Sequence, residues 1–162
     1  MKVVGIVPSP SSVIVTRLDS DQDGIVCAFH DEWKMTASDR LSDYVTLRAR
    51  LVEKLQQWQP DAVCITALEP FALKMGKAQA SWFKTAEIRG VVAEAARSVM
   101  QGTYLRPKVA VGKGMGGRRV DECIADDALW QGALNKEIPK KYRESALLAL
   151  SWIRTHNDGG GA

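Results

Sequence analysis

The chain has two histidines and three cysteines in 162 residues, and that scarcity closes several chemistries at once. His30 and His156 stand with no acid or nucleophile at a suggestive spacing, which excludes a Ser/His/Asp or Cys/His arrangement read along the chain. Cys27, Cys64 and Cys123 lie in apolar stretches without C-x-x-C spacing, so they read as buried reduced thiols rather than disulfides or a zinc site. No run of about 18 apolar residues occurs, and no charged N-terminal segment leads into an apolar core with a small-residue cleavage site. Membrane passage is excluded on that reading, and a cytoplasmic location is expected. Acidic residues are also missing from the middle. Residues 71–120 hold ten Lys/Arg against two carboxylates, Glu87 and Glu94, a balance of +8 inside a chain whose net charge is +3. Residues 1–70 carry seven against ten, and residues 121–162 five against seven. A basic block of this kind is the footprint of a polyanion partner, because each neutralised phosphate releases condensed counterions. The plainer alternative is a solvated lysine face.

With 46% of its residues apolar, the chain is long enough to bury one real core. One domain is expected over residues 1–157, followed by a frayed Gly-rich tail at 158–162. Short β-branched runs, Val3 to Val7, Val13 to Leu18 and Ile25 to Phe29, are separated by Pro8-Ser9-Pro10-Ser11-Ser12 and by Asp19-Ser20-Asp21-Gln22-Asp23-Gly24. That is the punctuation of an antiparallel meander. Leu41, Tyr44, Val45, Leu51, Val52, Leu55 and Trp58 recur at helical spacing until Pro60. Ala62 to Thr66 fits a central strand, and Trp82, Ala86, Val91, Val92, Ala95 and Val99 mark a second helix. A short strand is expected at Tyr104-Leu105, one helix from about Arg119 to Trp130, and a last helix from Tyr142 to Arg154.

Three strands, then helix, strand, helix, strand and terminal helices, is the order of the ribonuclease H-like fold, an α/β architecture with a mixed five-stranded sheet. Four segments resemble the RuvC-type Holliday-junction resolvase family, in order along the chain. Val4-Gly5-Ile6-Val7-Pro8-Ser9 resembles its first strand, apolar-Gly-Ile-Asp-Pro-Gly. Gln59-Pro60-Asp61-Ala62-Val63-Cys64-Ile65-Thr66-Ala67 resembles its run of Pro-Asp, apolar strand and paired glutamates. Pro107 to Arg118 is similar to its basic Val-x-Gly-x-Gly segment, and Glu144-Ser145-Ala146-Leu147-Leu148-Ala149-Leu150 to its last helix.

The resemblance implies a two-metal nuclease, in which carboxylates hold two Mg²⁺ ions that activate water and stabilise the leaving oxygen. Each of those positions departs from the pattern. Val7 replaces the first-strand aspartate, Thr66 and Ala67 the glutamates, and Tyr142 and Ser145 the last-helix aspartates. Hard divalent cations need anionic oxygen ligands, which these side chains do not supply. The nearest substitutes are Glu69 and Glu144, and Glu144 sits about 100° from Ser145 around a helix, so it faces elsewhere.

Two further motifs lose to plainer readings. Asp19 to Gly24 gives the first half of a calcium loop, but His30 occupies the bidentate position and strand-like runs flank it, so a hairpin turn is expected. Gly112, Gly114 and Gly117 satisfy G-x-G-x-x-G without the surrounding strand–helix–strand unit. They read as a flexible basic loop that lets Lys113, Arg118 and Arg119 follow a phosphate backbone. Lys74, Lys77 and Lys84 surround Trp82-Phe83, of which at most one ring is expected to be exposed.

The combined expectation is a pseudonuclease without cofactor or metal, binding structured or branched nucleic acid, DNA in preference to RNA, through Lys74, Lys77, Lys84, Lys113, Arg118 and Arg119. A homodimer is implied by the resemblance. The rival readings are an active endonuclease that uses Mg²⁺ on relocated carboxylates, and a protein-interaction adaptor on a degraded nuclease fold.

Overall fold

β1 (Lys2–Pro8) is apolar on both faces, and Val3 through Ile6 are all buried, the signature of a strand covered on two sides. The computed structural model describes residues 1–68 and 77–157, with residues 77 and 78 described by backbone alone. The Gly-rich tail from residue 158, Glu69 and Lys74 lie outside the described residues. β2 (Ser12–Asp21) pairs antiparallel with β1, and β3 (Gly24–Lys34) antiparallel with β2, with a register shift between Arg17 and Leu18. After α1 (Arg40–Trp58), β4 (Ala62–Thr66) enters beside β1 in parallel; after α2 (Lys77–Val99), β5 (Thr103–Arg106) adds in parallel to β4. The sheet order is β3-β2-β1-β4-β5, which is the expected meander plus parallel pair.

Successive side chains of a strand point to opposite faces, so β1 and β4 split their residues between two cores. Val4, Ile6, Val63 and Ile65 meet Leu47, Leu51 and Leu55 of α1 and Ile88, Val92 and Ala95 of α2. Val3, Ala62 and Cys64 meet the opposite layer, built by α3 (Lys108–Lys113), α4 (Val120–Ala125), α5 (Asp127–Ala133) and α6 (Arg143–Asn157). Gly5 is where α6 seats on the sheet: a Cβ there would lie 1.8 Å from the Ser145 carbonyl oxygen. α1 starts at Asp39, whose carboxylate accepts from the Leu41 and Ser42 amides, and ends at Gln59 in the left-handed region, before Pro60.

Three expectations need correction. The turn over Asp19–Gly24 shrinks to Gln22-Asp23, because Asp19 and Ser20 pair across the hairpin with Val26 and Ile25. Asp19 also engages Arg17 at 2.9 Å, so the acidic run is spent on a strand end. The single helix from Arg119 to Trp130 is two helices, broken at Asp126, whose extended backbone lets its carboxylate cap α5 by accepting from the Leu129 amide. The last helix begins at Arg143, and Tyr142 belongs to a 3-10 turn, Lys140–Tyr142, that leads into it.

Candidate nucleic-acid interface

Parallel pairing of β1 with β4 places Val7 beside Thr66 at the strand ends, and α6 crosses them at Gly5. The first turn of α6 therefore packs over β1, with Ser145 reaching Thr16 on β2 and Tyr142, in the turn before it, reaching His30 on β3. Val7 is half-buried against the core that α6 forms with β1. Thr66 donates its hydroxyl to the Ile6 carbonyl at 3.4 Å. Ser145 is fully buried, donates to the Tyr142 carbonyl at 2.9 Å, and lies 2.6 Å from the Thr16 hydroxyl. A hydroxyl carries one proton, so Thr16 is the donor of that second bond. Tyr142 is buried, with its ring 4.4 Å from that of His30 and the Lys141 ammonium 4.7 Å over it.

Arg89, which the sequence pattern does not flag, reaches this end of the sheet from α2. Its Nε donates to the Thr66 carbonyl at 2.5 Å, and burial lowers its pKa. The divalent metal pair implied by the resemblance does not fit these residues. The hydroxyls of Thr66 and Ser145 are spent on internal bonds, Val7 and Ala67 offer no donor, and a guanidinium stands at the end of β4. Among the described residues no group of three or more His, Cys, Asp or Glu side chains is placed to hold a metal ion. Glu144 turns away from Val7 and Thr66 toward α3 and α4, where Lys108 and Asp121 act on it; burial raises its pKa, and Lys108 works against that. All three thiols are held toward the protonated form. Burial pushes Cys64 up to about 12 and raises Cys123. Cys27 is only half-buried, against expectation, and its sulfur lies 3.6 Å from His30 Nδ1, yet burial raises it as well.

The basic residues separate into two places. Lys113, Arg118 and Arg119 come together between α3 and α4 around a cavity of about 380 Å³, joined by Lys108, which the sequence reading did not single out. The segment is only in part the loop expected from its glycines, since residues 114–117 form turns and Arg118 and Arg119 have no regular structure, while Gly112 and Lys113 belong to a helix. Lys108–Lys113 is helical, and a Cβ on Gly112 would lie 2.6 Å from the Arg118 carbonyl oxygen, so that glycine is there for close approach. Arg118 is held by Asp126 at 2.7 Å, which raises the pKa of the guanidinium and lowers that of the carboxylate. Lys108 approaches Asp121 at 3.9 Å. Lys113 and Arg119 form no ion pair among the described residues. Lys84 stands apart, exposed on α2, on the α1 side of the sheet, where its carbonyl accepts from Arg40 at 3.2 Å. Phe83 beside it is 52% exposed while Trp82 is half-buried, in line with one exposed ring.

Arg143 was also invisible in the sequence. It is buried at the head of α6, pairs with Asp127 at 2.6 Å, donates to the Ile124 carbonyl at 3.1 Å and lies over the Trp130 ring. It ties α4 and α5 to α6 and so fixes one wall of the basic site.

No family model matches the chain, and no curated protein matches it. Solved structures do. The RuvC structure from Thermus thermophilus superposes with a TM-score of 0.78 at 17% identity, over 98% of this chain and 97% of that one. The same organism's RuvC in complex with Holliday junction substrate gives 0.76 at 16%, over 98% and 97%. The fowlpox virus resolvase with substrate Holliday junction DNA gives 0.54 at 12%, over 94% and 99%. The chain has the ribonuclease H-like fold in the arrangement of RuvC.

Proposed function

We propose that this chain is a RuvC-like pseudonuclease: a cytoplasmic homodimer that binds structured or branched nucleic acid, DNA in preference to RNA, without metal-dependent cleavage. The observation that carries the reading is the pairing of a carboxylate-free set at Val7, Thr66, Ala67, Tyr142 and Ser145, where the Thr66 and Ser145 hydroxyls are spent on internal bonds, with the cationic cavity of Lys108, Lys113, Arg118 and Arg119. Two of the similar structures hold Holliday junction substrate, which supports a branched ligand. The dimer reading has in its favour Leu41 and Val45, one helical turn apart on α1 and each 69% exposed, since adjacent exposed apolar side chains mark interaction surfaces. Phosphate contacts of this kind position a protein without reading sequence.

Fluorescence anisotropy against a four-way junction, a duplex and a single strand across a salt series tests the binding. Preference for the junction, with affinity falling steeply as salt rises, is expected; weak binding without salt dependence contradicts the reading. Light scattering tests the dimer, with Val45→Asp expected to give single chains.

A further inference from the structure

The cavity between α3 and α4 has more shape than a phosphate track requires. A nucleic-acid backbone laid on a surface needs only exposed cations, and a convex face supplies them. Here the cations rim a hollow of about 380 Å³ whose walls include Val109 and Val120. That volume lies within the range of small-ligand sites. Val109 is 71% exposed at the rim, and Gly117, at φ +83°, has no atom within 4 Å of where a Cβ would stand, so this side of the mouth is open. Four cations face one carboxylate among the lining side chains, Asp121. Arg118 and Lys108 are engaged with Asp126 and Asp121, which leaves Lys113 and Arg119 for an anion from outside.

We infer that this cavity binds a single unstacked nucleotide, its phosphate on Lys113 and Arg119 and its base against Val109 and Val120. An anion alone would leave the apolar wall wet, and an apolar ligand alone would leave two cations unmatched; a nucleotide satisfies both. The nucleotide comes either free from solution or turned out of a bound strand, as proteins that engage single bases arrange by unstacking them. The strand-borne source rests on the nucleic-acid binding proposed above, whereas binding of a free nucleotide does not.

The test is a titration of the full chain, followed by amide chemical shifts, with adenosine 5′-monophosphate, adenosine and inorganic phosphate. The monophosphate is expected to bind at least about tenfold more tightly than either part, with shifts at Val109, Gly112, Gly117 and Val120. Lys113→Gln with Arg119→Gln is expected to weaken the monophosphate and phosphate alike by about tenfold or more. Val109→Gln, at an exposed position, is expected to weaken the monophosphate about fivefold and leave phosphate unchanged. Equal affinities for the monophosphate and phosphate, or shifts confined to other surfaces, overturn the inference. The second arm places 2-aminopurine in a junction strand. A rise in its emission on binding, reduced in Val109→Gln, supports the strand-borne source; unchanged emission with tight monophosphate binding overturns that source and assigns the cavity to free nucleotide. Failure of junction binding with monophosphate binding intact contradicts the proposed function and leaves the cavity assignment standing.

Discussion

Two neighbouring regions of this molecule treat their polar groups in opposite ways. At the strand ends the hydroxyls of Thr16, Thr66 and Ser145 are consumed by one another or by backbone carbonyls, and Val7 packs into the core beside them. Between α3 and α4, Lys113 and Arg119 are exposed around an open hollow and form no ion pair among the described residues. A polar group buried without a partner costs free energy, which is why the buried hydroxyls of Thr16 and Ser145 bond to one another and to the Tyr142 carbonyl. Surface cations need no such closure and stay available to a ligand. The contrast teaches that an internally bonded strand end and an open cationic hollow can stand on one scaffold, which is what the proposed binding without cleavage requires.

That contrast can be broken from its closed side first. Gly5→Val forces a Cβ into the Ser145 carbonyl, which a placement at 1.8 Å cannot accommodate without moving α6. A loss of about 3 kcal/mol or more is expected in urea unfolding; a stable variant would mean that α6 does not seat there. On the open side, Lys113→Glu with Arg119→Glu is expected to lower junction affinity more than tenfold and to flatten the salt slope by roughly two. An unchanged slope would place the interface elsewhere. Ser145→Ala removes the acceptor for the Thr16 hydroxyl and is expected to cost about 1–3 kcal/mol. Adding Thr16→Val should recover part of that loss, and a double variant with strictly additive losses would deny the coupling of the two hydroxyls.

The smallest effect concerns Glu144, which stands between the two regions. Burial raises its pKa above the ordinary 4.5 of a glutamate, so the folded state holds its proton into a range where the unfolded chain has released it. The folded state then binds more protons than the unfolded, and stability falls as pH climbs from near 4.5 through the raised value. Glu144→Gln is expected to flatten that decline and to leave stability unchanged below it. Denaturant midpoints measured across this range read the difference directly.

The sheet was legible in the sequence because β-branched runs and their Pro, Ser, Asp and Gly punctuation act locally, as did α1 with its spaced leucines and Pro60. The short elements were not. Val109-Ala110-Val111 carries no helical period over six residues, and α3 exists because Gly112 and Gly114 admit the Arg118 and Ser151 carbonyls at distances a side chain would forbid. The break at Asp126 depends on its cap to Leu129 and its pairing with Arg118, which lies eight residues away. The five departures from the resolvase pattern were readable residue by residue, but the arginines around them were not. Arg89 and Arg143 are buried by contacts with Thr66 and Asp127, and an apolar pattern gives no sign of a buried cation's partner.

The central claim, binding without cleavage, meets its most direct test in one tube. A labelled four-way junction is incubated with the protein in Mg²⁺ and then Mn²⁺, and the bound fraction and strand length are read together. Saturable, salt-dependent binding with every strand intact is the predicted result. Strand scission that disappears in Glu69→Gln or Glu144→Gln would contradict the account and return the chain to the active resolvases.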